Sequence, residues 1–493
     1  MGSDHEQTAT TEITHPWLRR IHVAFVPGPM NPLLDEVSRN LLHHFRLLGQ
    51  QVQEIPDDCT DVLITTAPFE EPIGWREALI FNMRRQFDLS HTPTLYTLVH
   101  ASPARFQAVL DRFEAALAKE PPDPAEFRFP GLTSNAYHVL FEQGHRGGPI
   151  LALERLVQAQ AKGLRIILVV GDEHPCEAYH FDLVGAYPRS VVDGSGAFYD
   201  DIVLRIVTTM SATEVTEHEV VGEPIPYDVW RGLGAPAAMQ IAGRRLGERN
   251  FFTEMVRISD LVPVPAVPDS ISSQYSEGCF ATWESALNAL IATVTGSARP
   301  VDKGSITEDD LAVLVGVRPD QCGALTRHVE GKRNDRPSSE AVEMMGMDSL
   351  LPTVTLDPLW GISSTVPVVR SKLHGHRGIA AYDPRKVEYT PLDPPYYRYL
   401  VSCGTDAQAR GIVGAFARAK ALRSPDDARQ IAFTVLPGHG AFIVEKWVAG
   451  KAPFQVIWEA MDAGALQVDN RIPQGAMAYV PGPDGLMVLQ SGA

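Results

Sequence analysis

His374 and His376 stand two apart in KLHGHRGIAAYD, residues 372–383, with Gly375 and Gly378 flanking the His376-Arg377 pair. On a strand, residues two apart project to one face, so the two imidazoles could meet a single divalent ion or a substrate. A polar strand end facing solvent is the other reading, in a chain with sixteen histidines. His439, in LPGHGAF, is a second glycine-flanked histidine after an apolar run, placed either to join the pair or to occupy a turn.

Glu277 precedes Gly278 and an apolar stretch, CFATWESALNALIATVTG, whose second half reads as an amphipathic helix over 283–295. A carboxylate there either caps the helix or binds metal and exchanges a proton. Cys279 beside it reads as a packing cysteine, since no local Cys-His pattern marks a nucleophile. Arg318, Arg327, His328, Lys332, Arg333 and Arg336 form a basic cluster that could clamp phosphate or carboxylate through guanidinium forks. Asp320, Glu330 and Asp335 lie among them, and a solvated loop at a subunit contact is the alternative. Asp172, Glu173 and His174 follow a buried strand, where α/β sheets gather ligands and where helix caps also sit.

The elements that must position these residues begin after a polar tail, residues 1–16, with no apolar signal core. IHVAFV reads as a strand, PGPMNP as a turn, and 33–48 as a helix stopped by Gly49. DVLIT, TLYTLV and RIILVV read as buried parallel strands, and 150–161 as a helix. Beyond Pro337 the pieces TVPVV, YYRYLV, IAFTVL, AFIVEKWV and FQVIW are β-prone. The expected fold is α/β: a Rossmann-like domain over 17–129, a second doubly wound domain over 130–336, and a mixed α+β, β-rich domain over 337–493.

A chain of 493 residues exceeds one core, and 44% apolar residues suffice for several. A net charge of −17 argues against nucleic acid or anionic membrane as partner. Five scattered cysteines give no disulfide framework or cysteine zinc site, and no run reaches about eighteen apolar residues. A cytoplasmic protein that binds small molecules is expected. Walker, G-x-G-x-x-G, G-x-S-x-G and H-E-x-x-H motifs are absent, which removes weight from the chemistries they serve.

SEGCFATWESALNALIATVTGSARP followed by EDDLAVLVGV resembles a segment of the L-fucose and L-arabinose isomerase-like family, over about a tenth of the chain. The resemblance implies a divalent-metal sugar isomerase, a homo-oligomer with Mn²⁺ or Mg²⁺ as cofactor and a small carbohydrate-like substrate. It puts Glu277 on an acidic metal position, with Glu254 in NFFTEMVRI as its paired carboxylate, both as ligands or proton carriers. His439, or His374 with His376, would complete the site. Cys279 replaces the acidic residue the family carries after its glutamate-glycine step. The competing readings are a non-catalytic sugar-binding or assembly protein, and a two-lobed glycosyltransferase suggested by VPGPMNPLLDEVSRNLLHHFRLLGQQV.

Overall fold

The computed structural model describes residues 18–68, 83–91, 93–108, 111, 165–182, 185–186, 190–212, 217–249, 251–252, 254–255, 275–276, 278–295, 301–320, 322–356, 364–393, 404–424, 426–436, 439–469 and 477–490. The chain is α/β and divides into two units: residues 1–107, 163–180 and 189–212 form the first, and 108–162, 181–188 and 213–493 the second. The expected helix at 150–161 and the YYRYLV run lie outside the described residues.

The first unit is organised by five parallel strands. In chain order these are β1 (His22–Val26), β2 (Gln51–Gln53), β3 (Val62–Pro68), β4 (Thr94–Ala101) and β5 (Ile166–Val170), arranged β2-β1-β3-β4-β5. Two further strands, β6 (Cys176–Asp182) and β7 (Ser190–Val192), pair antiparallel beyond β5. Helix α1 (Pro32–Leu47) starts where expected because Asn31 Oδ1 accepts the Leu34 N–H and Pro32 needs no partner for a missing N–H. Its apolar stripe, Leu34, Val37, Leu41 and Phe45, is buried with α2 (Ala197–Ser211) against Val23, Ile64, Leu98 and Val169. RIILVV therefore joins the first sheet; it does not found a separate one. His174, just past β5, bonds Glu36 on α1 and the Val192 carbonyl, which ties the strand end to the helix.

The second unit is built on a nine-stranded sheet. Its strands are β8 (Glu219–Val220), β11 (Cys279–Glu284), β12 (Ala289–Thr293), β13 (Leu311–Val317), β14 (Ala324–Arg327), β15 (Val369–Gly375), β17 (Val387–Tyr389), β18 (Ile431–Leu436) and β19 (Gly440–Lys446). Two short strands, β9 (Glu254–Met255) and β10 (Tyr275–Ser276), pair separately, and β16 (Gly378–Tyr382) belongs to a smaller four-stranded sheet. The large sheet runs β17-β18-β19-β15-β11-β12-β13-β14-β8. The IAFTVL and AFIVEKWV runs thus share one sheet with LAVLVGV, while TVPVV pairs with Thr353–Leu356 in a separate two-stranded sheet and reaches the large one only at Val369; no break in the core falls at residue 337.

Two local expectations are corrected. Residues 283–295 are not a helix: CFATWE and ALIAT form an antiparallel hairpin, with Thr282 opposite Ile291 and Asn288 in the left-handed region at the turn. Both strands are buried throughout, and a strand covered on both faces gives a continuous apolar run that periodicity does not separate from a helix. Gly278 consequently leads into a strand, and no helix N-terminus follows Glu277. FQVIW is helical, the start of α6 (Gln455–Asp462), because the buried Glu445 carboxyl accepts the N–H groups of Phe454 and Ile457 at that helix's first turn.

Burial pushes the Glu445 carboxyl up to about 7, against bonds from Ser371, Phe454 and Ile457 that pull it down. Folding therefore favours the neutral form. That contribution is fully present below the ordinary 4.5 and is lost as pH rises through about 7, on the order of 3 kcal/mol. Urea unfolding of wild type and Glu445→Gln at pH 5 and pH 8.5 should show the wild type losing more stability between the two than the variant. Parallel losses would remove Glu445 as the cause.

Helices α4 (Ala341–Gly346) and α5 (Asp406–Arg418) cover the face of the large sheet that carries Cys279, Lys372 and His374; α3 (Gly234–Gly247) and α6 serve the opposite side. Among the described residues, no helix is long and apolar enough to cross a membrane, and Cys59, Cys176, Cys279 and Cys322 are free thiols.

Candidate metal centre

Strand β15 alternates Lys372, His374 toward α4 and α5 with Ser371, Leu373 toward the other side. His374 is directly opposite Cys279 on β11 and Phe442 on β19, and Phe442 is opposite Thr434 on β18, so these side chains form one row across four strands. His376 lies just beyond the end of β15. His439 sits in the turn that joins β18 to β19, fixed by its N–H to the Leu436 carbonyl.

This end of the sheet is closed by backbone packing that only glycine permits. A Cβ on Gly440 would lie 2.1 Å from the Gly375 carbonyl oxygen and 2.8 Å from the His376 Cα. Gly278 has φ +88°, and a Cβ there would lie 2.5 Å from the His374 carbonyl oxygen. The glycines beside the histidines in the sequence thus allow the two hairpins to approach until the imidazoles meet.

One ring nitrogen from each of His374, His376 and His439 lies within 4.8 Å of the others. His439 Nε2 and His376 Nε2 are 3.1 Å apart, and the ring centroids are 4.6 to 5.3 Å apart. His374 is fully buried, His439 nearly so, and His376 partly. His374 Nδ1 is 3.1 Å from the Ala441 carbonyl, which can only accept, so Nδ1 donates and Nε2 carries the lone pair. A backbone carbonyl that fixes the tautomer in this way is the usual outer partner of a ligating histidine. Tetrahedral nitrogen ligands at zinc-like bond lengths are ~3.3 Å apart, so the three rings fit one ion after small rotations. Imidazole suits Zn, Fe, Ni and Cu, whereas Mg²⁺ and Mn²⁺ favour oxygen, and this donor set by itself identifies neither Mn²⁺ nor Mg²⁺.

No family model, curated protein or solved structure matches this chain. Its chemistry is carried by its own geometry.

The three candidate histidines are brought together. Glu277 lies outside the described residues. The backbone of Glu254 pairs with Ser276 in the β9–β10 ladder, two residues before Gly278 packs on His374. The basic residues are elsewhere, on and after β13 and β14, three to four strands from β15 and so roughly 14–19 Å away at ~4.8 Å per strand. Arg318 bonds Asp320 and the Glu217 carbonyl; Arg327 makes two bonds to the Glu223 carbonyl. Lys332 is buried on the Leu311 and Arg333 carbonyls, 5.6 Å from the Trp230 ring, and Arg333 pairs with Asp335 at 2.8 Å. In an acidic chain, neighbouring carboxylates and strand-end carbonyls take up these cations locally.

Two features of this face, Lys372 and Glu343, escaped the residue pattern, and Cys279 is the packing cysteine expected. Lys372 precedes His374 by two on the same face and forms a buried pair with Asp348, also reaching the Met344 carbonyl. Glu343 is fully buried on α4, and neither carboxyl oxygen has a hydrogen-bond partner among the described residues. Cys279 is buried, with Met344 Sδ 3.7 Å away, and its thiol is raised well above the ordinary range by burial and then by Glu340 and Glu343. The K-x-H-x-H spacing was the signal for Lys372; no motif marked Glu343.

Proposed function

We propose that this chain is a divalent-metal enzyme whose ion is held by His374, His376 and His439, acting on a small polyhydroxylated substrate with aldose–ketose interconversion as its reaction. The observation that carries this reading is the meeting of His439 with His376, 63 residues apart, at the end of a buried sheet. In that reaction a proton leaves the carbon next to a carbonyl and returns to the neighbouring carbon. An ion held by the three histidines would supply Lewis-acid polarisation of the substrate oxygens. The histidines serve only to hold the ion, with His374 oriented by Ala441, and Glu254 and Glu277 are the proposed proton carriers. The parallel β2-β1-β3-β4-β5 sheet is in keeping with a Rossmann-like first domain, whose strand ends are its expected ligand side.

A second reading has a specific observation behind it. Three histidines and no described carboxylate would leave a bound ion its full charge, which would favour activation of water for hydrolysis or hydration.

Elemental analysis of untagged protein, with and without added Zn²⁺, Co²⁺, Ni²⁺ or Mn²⁺, followed by an aldose panel assayed for ketose, tests the proposal. One bound ion per chain and ketose formation are expected. Absence of any bound ion after incubation overturns the metal reading; metal without turnover of any sugar moves the assignment to water activation.

A further inference from the structure

The buried groups around the histidines point to the kind of substrate the centre would take. Glu343 is 0% exposed and Gln408 is 1% exposed, yet neither Glu343 oxygen nor the Gln408 Nε2 has a hydrogen-bond partner among the described residues. The two residues sit on adjoining turns of α4 and α5, since Val342 packs on Ala409. They are tied to the centre from both helices. Glu343 acts on Cys279, the residue directly opposite His374, and Gln408 Oε1 accepts the N–H of Gly404, which packs against Ser339. Ser338, next in the chain, bonds both Glu340 and Cys279. Buried polar groups left open cost stability and number a few per hundred residues in native proteins.

One open group accepts and the other donates. A hydroxyl does both, so a chain of hydroxyls satisfies the pair whether the Glu343 carboxyl is ionised or protonated, where a carboxylate or phosphate needs the protonated form. Glu340 beside Glu343 adds acidic character that repels an anion, and burial followed by Glu340 raises the Glu343 carboxyl well above its ordinary range. Glu343 is not one of the three clustered ligating residues.

We propose that Glu343 and Gln408 receive hydroxyls of a neutral polyol or sugar bound at the three-histidine centre, which makes the substrate class unphosphorylated and non-acidic. This rests on the metal reading for what holds the other end of the molecule.

The test is calorimetry of protein loaded with Zn²⁺, titrated with ribitol, arabinitol, xylitol, sorbitol and mannitol, and with gluconate and inorganic phosphate as anionic probes. Binding of at least one polyol is expected, weakened about tenfold in Glu343→Gln and lost in Glu343→Leu, with zinc content unchanged in both. Glu343→Leu should also unfold at higher urea than wild type, because an open buried carboxyl is replaced by an apolar side chain; a structural Glu343 would give the opposite. Unchanged polyol binding in the variants, tighter binding of gluconate or phosphate, or no polyol binding at all would overturn the proposal. Should the wild type take up no zinc, the metal reading falls by itself. The same titrations on metal-free protein then decide the Glu343 proposal separately, by whether the variants lose polyol binding.

Discussion

His439→Ala should lower affinity for the bound ion by at least about 100-fold while leaving the fold intact. Even outer partners of metal ligands cost 10- to 100-fold when removed, and His439 is one of the three proposed direct donors. Its side chain comes from a turn outside the ladder, so truncation leaves the β18–β19 pairing in place. Competition of the bound metal against a chelator reads the affinity, and far-ultraviolet circular dichroism reads the fold. Arg333→Ala, whose guanidinium is engaged with Asp335, should leave the affinity unchanged. Equal affinity in His439→Ala and wild type would remove His439 from the centre.

Asp348→Ala should destabilise the second unit by about 3–5 kcal/mol, because it leaves the fully buried Lys372 ammonium with the Met344 carbonyl as its hydrogen-bond partner among the described residues. Burial drives both members of the pair toward neutrality: Lys372 is lowered, with Asp348 opposing, and Asp348 is raised to about 6, with Lys372 opposing. Each charge is therefore held by the other. The double variant Lys372→Met, Asp348→Leu should recover most of the loss, since two apolar side chains of similar volume replace both desolvated charges. Urea unfolding of the two single variants and the double variant measures this. Additive losses in the double variant would show that the pair contributes through separate contacts. Lys372 lies two residues from His374 on one face, so the single variants should also loosen the ion, a change the chelator competition detects.

Much of the local structure could be read from the chain. Asn31-Pro32 opens α1 and Gly49 closes it; β1, β3, β4, β5 and β13 lie on the runs expected of buried strands. The hairpin at 279–293 could not be read so. Its strands are covered on both faces, and alternation, the mark of a half-buried strand, is absent there. FQVIW failed for a related reason: Glu445, nine residues before Phe454 in the chain, supplies the cap that makes it a helix.

At the site the sequence by itself determined the ingredients: an H-x-H pair at a strand's two-residue spacing, with His374 on β15 and His376 just past its end, a glycine-flanked His439, and glycines that let backbones close up. These follow from the two-residue period of a strand and from the absence of a Cβ, both local properties. Only the tertiary structure decided that His439 meets His376, that Arg318, Arg327, Lys332 and Arg333 are held strands away, and that Glu343 is buried inside and not solvated outside. Strand order and helix placement set those outcomes. They depend on which apolar faces bury against one another across the whole chain, information that no single segment carries.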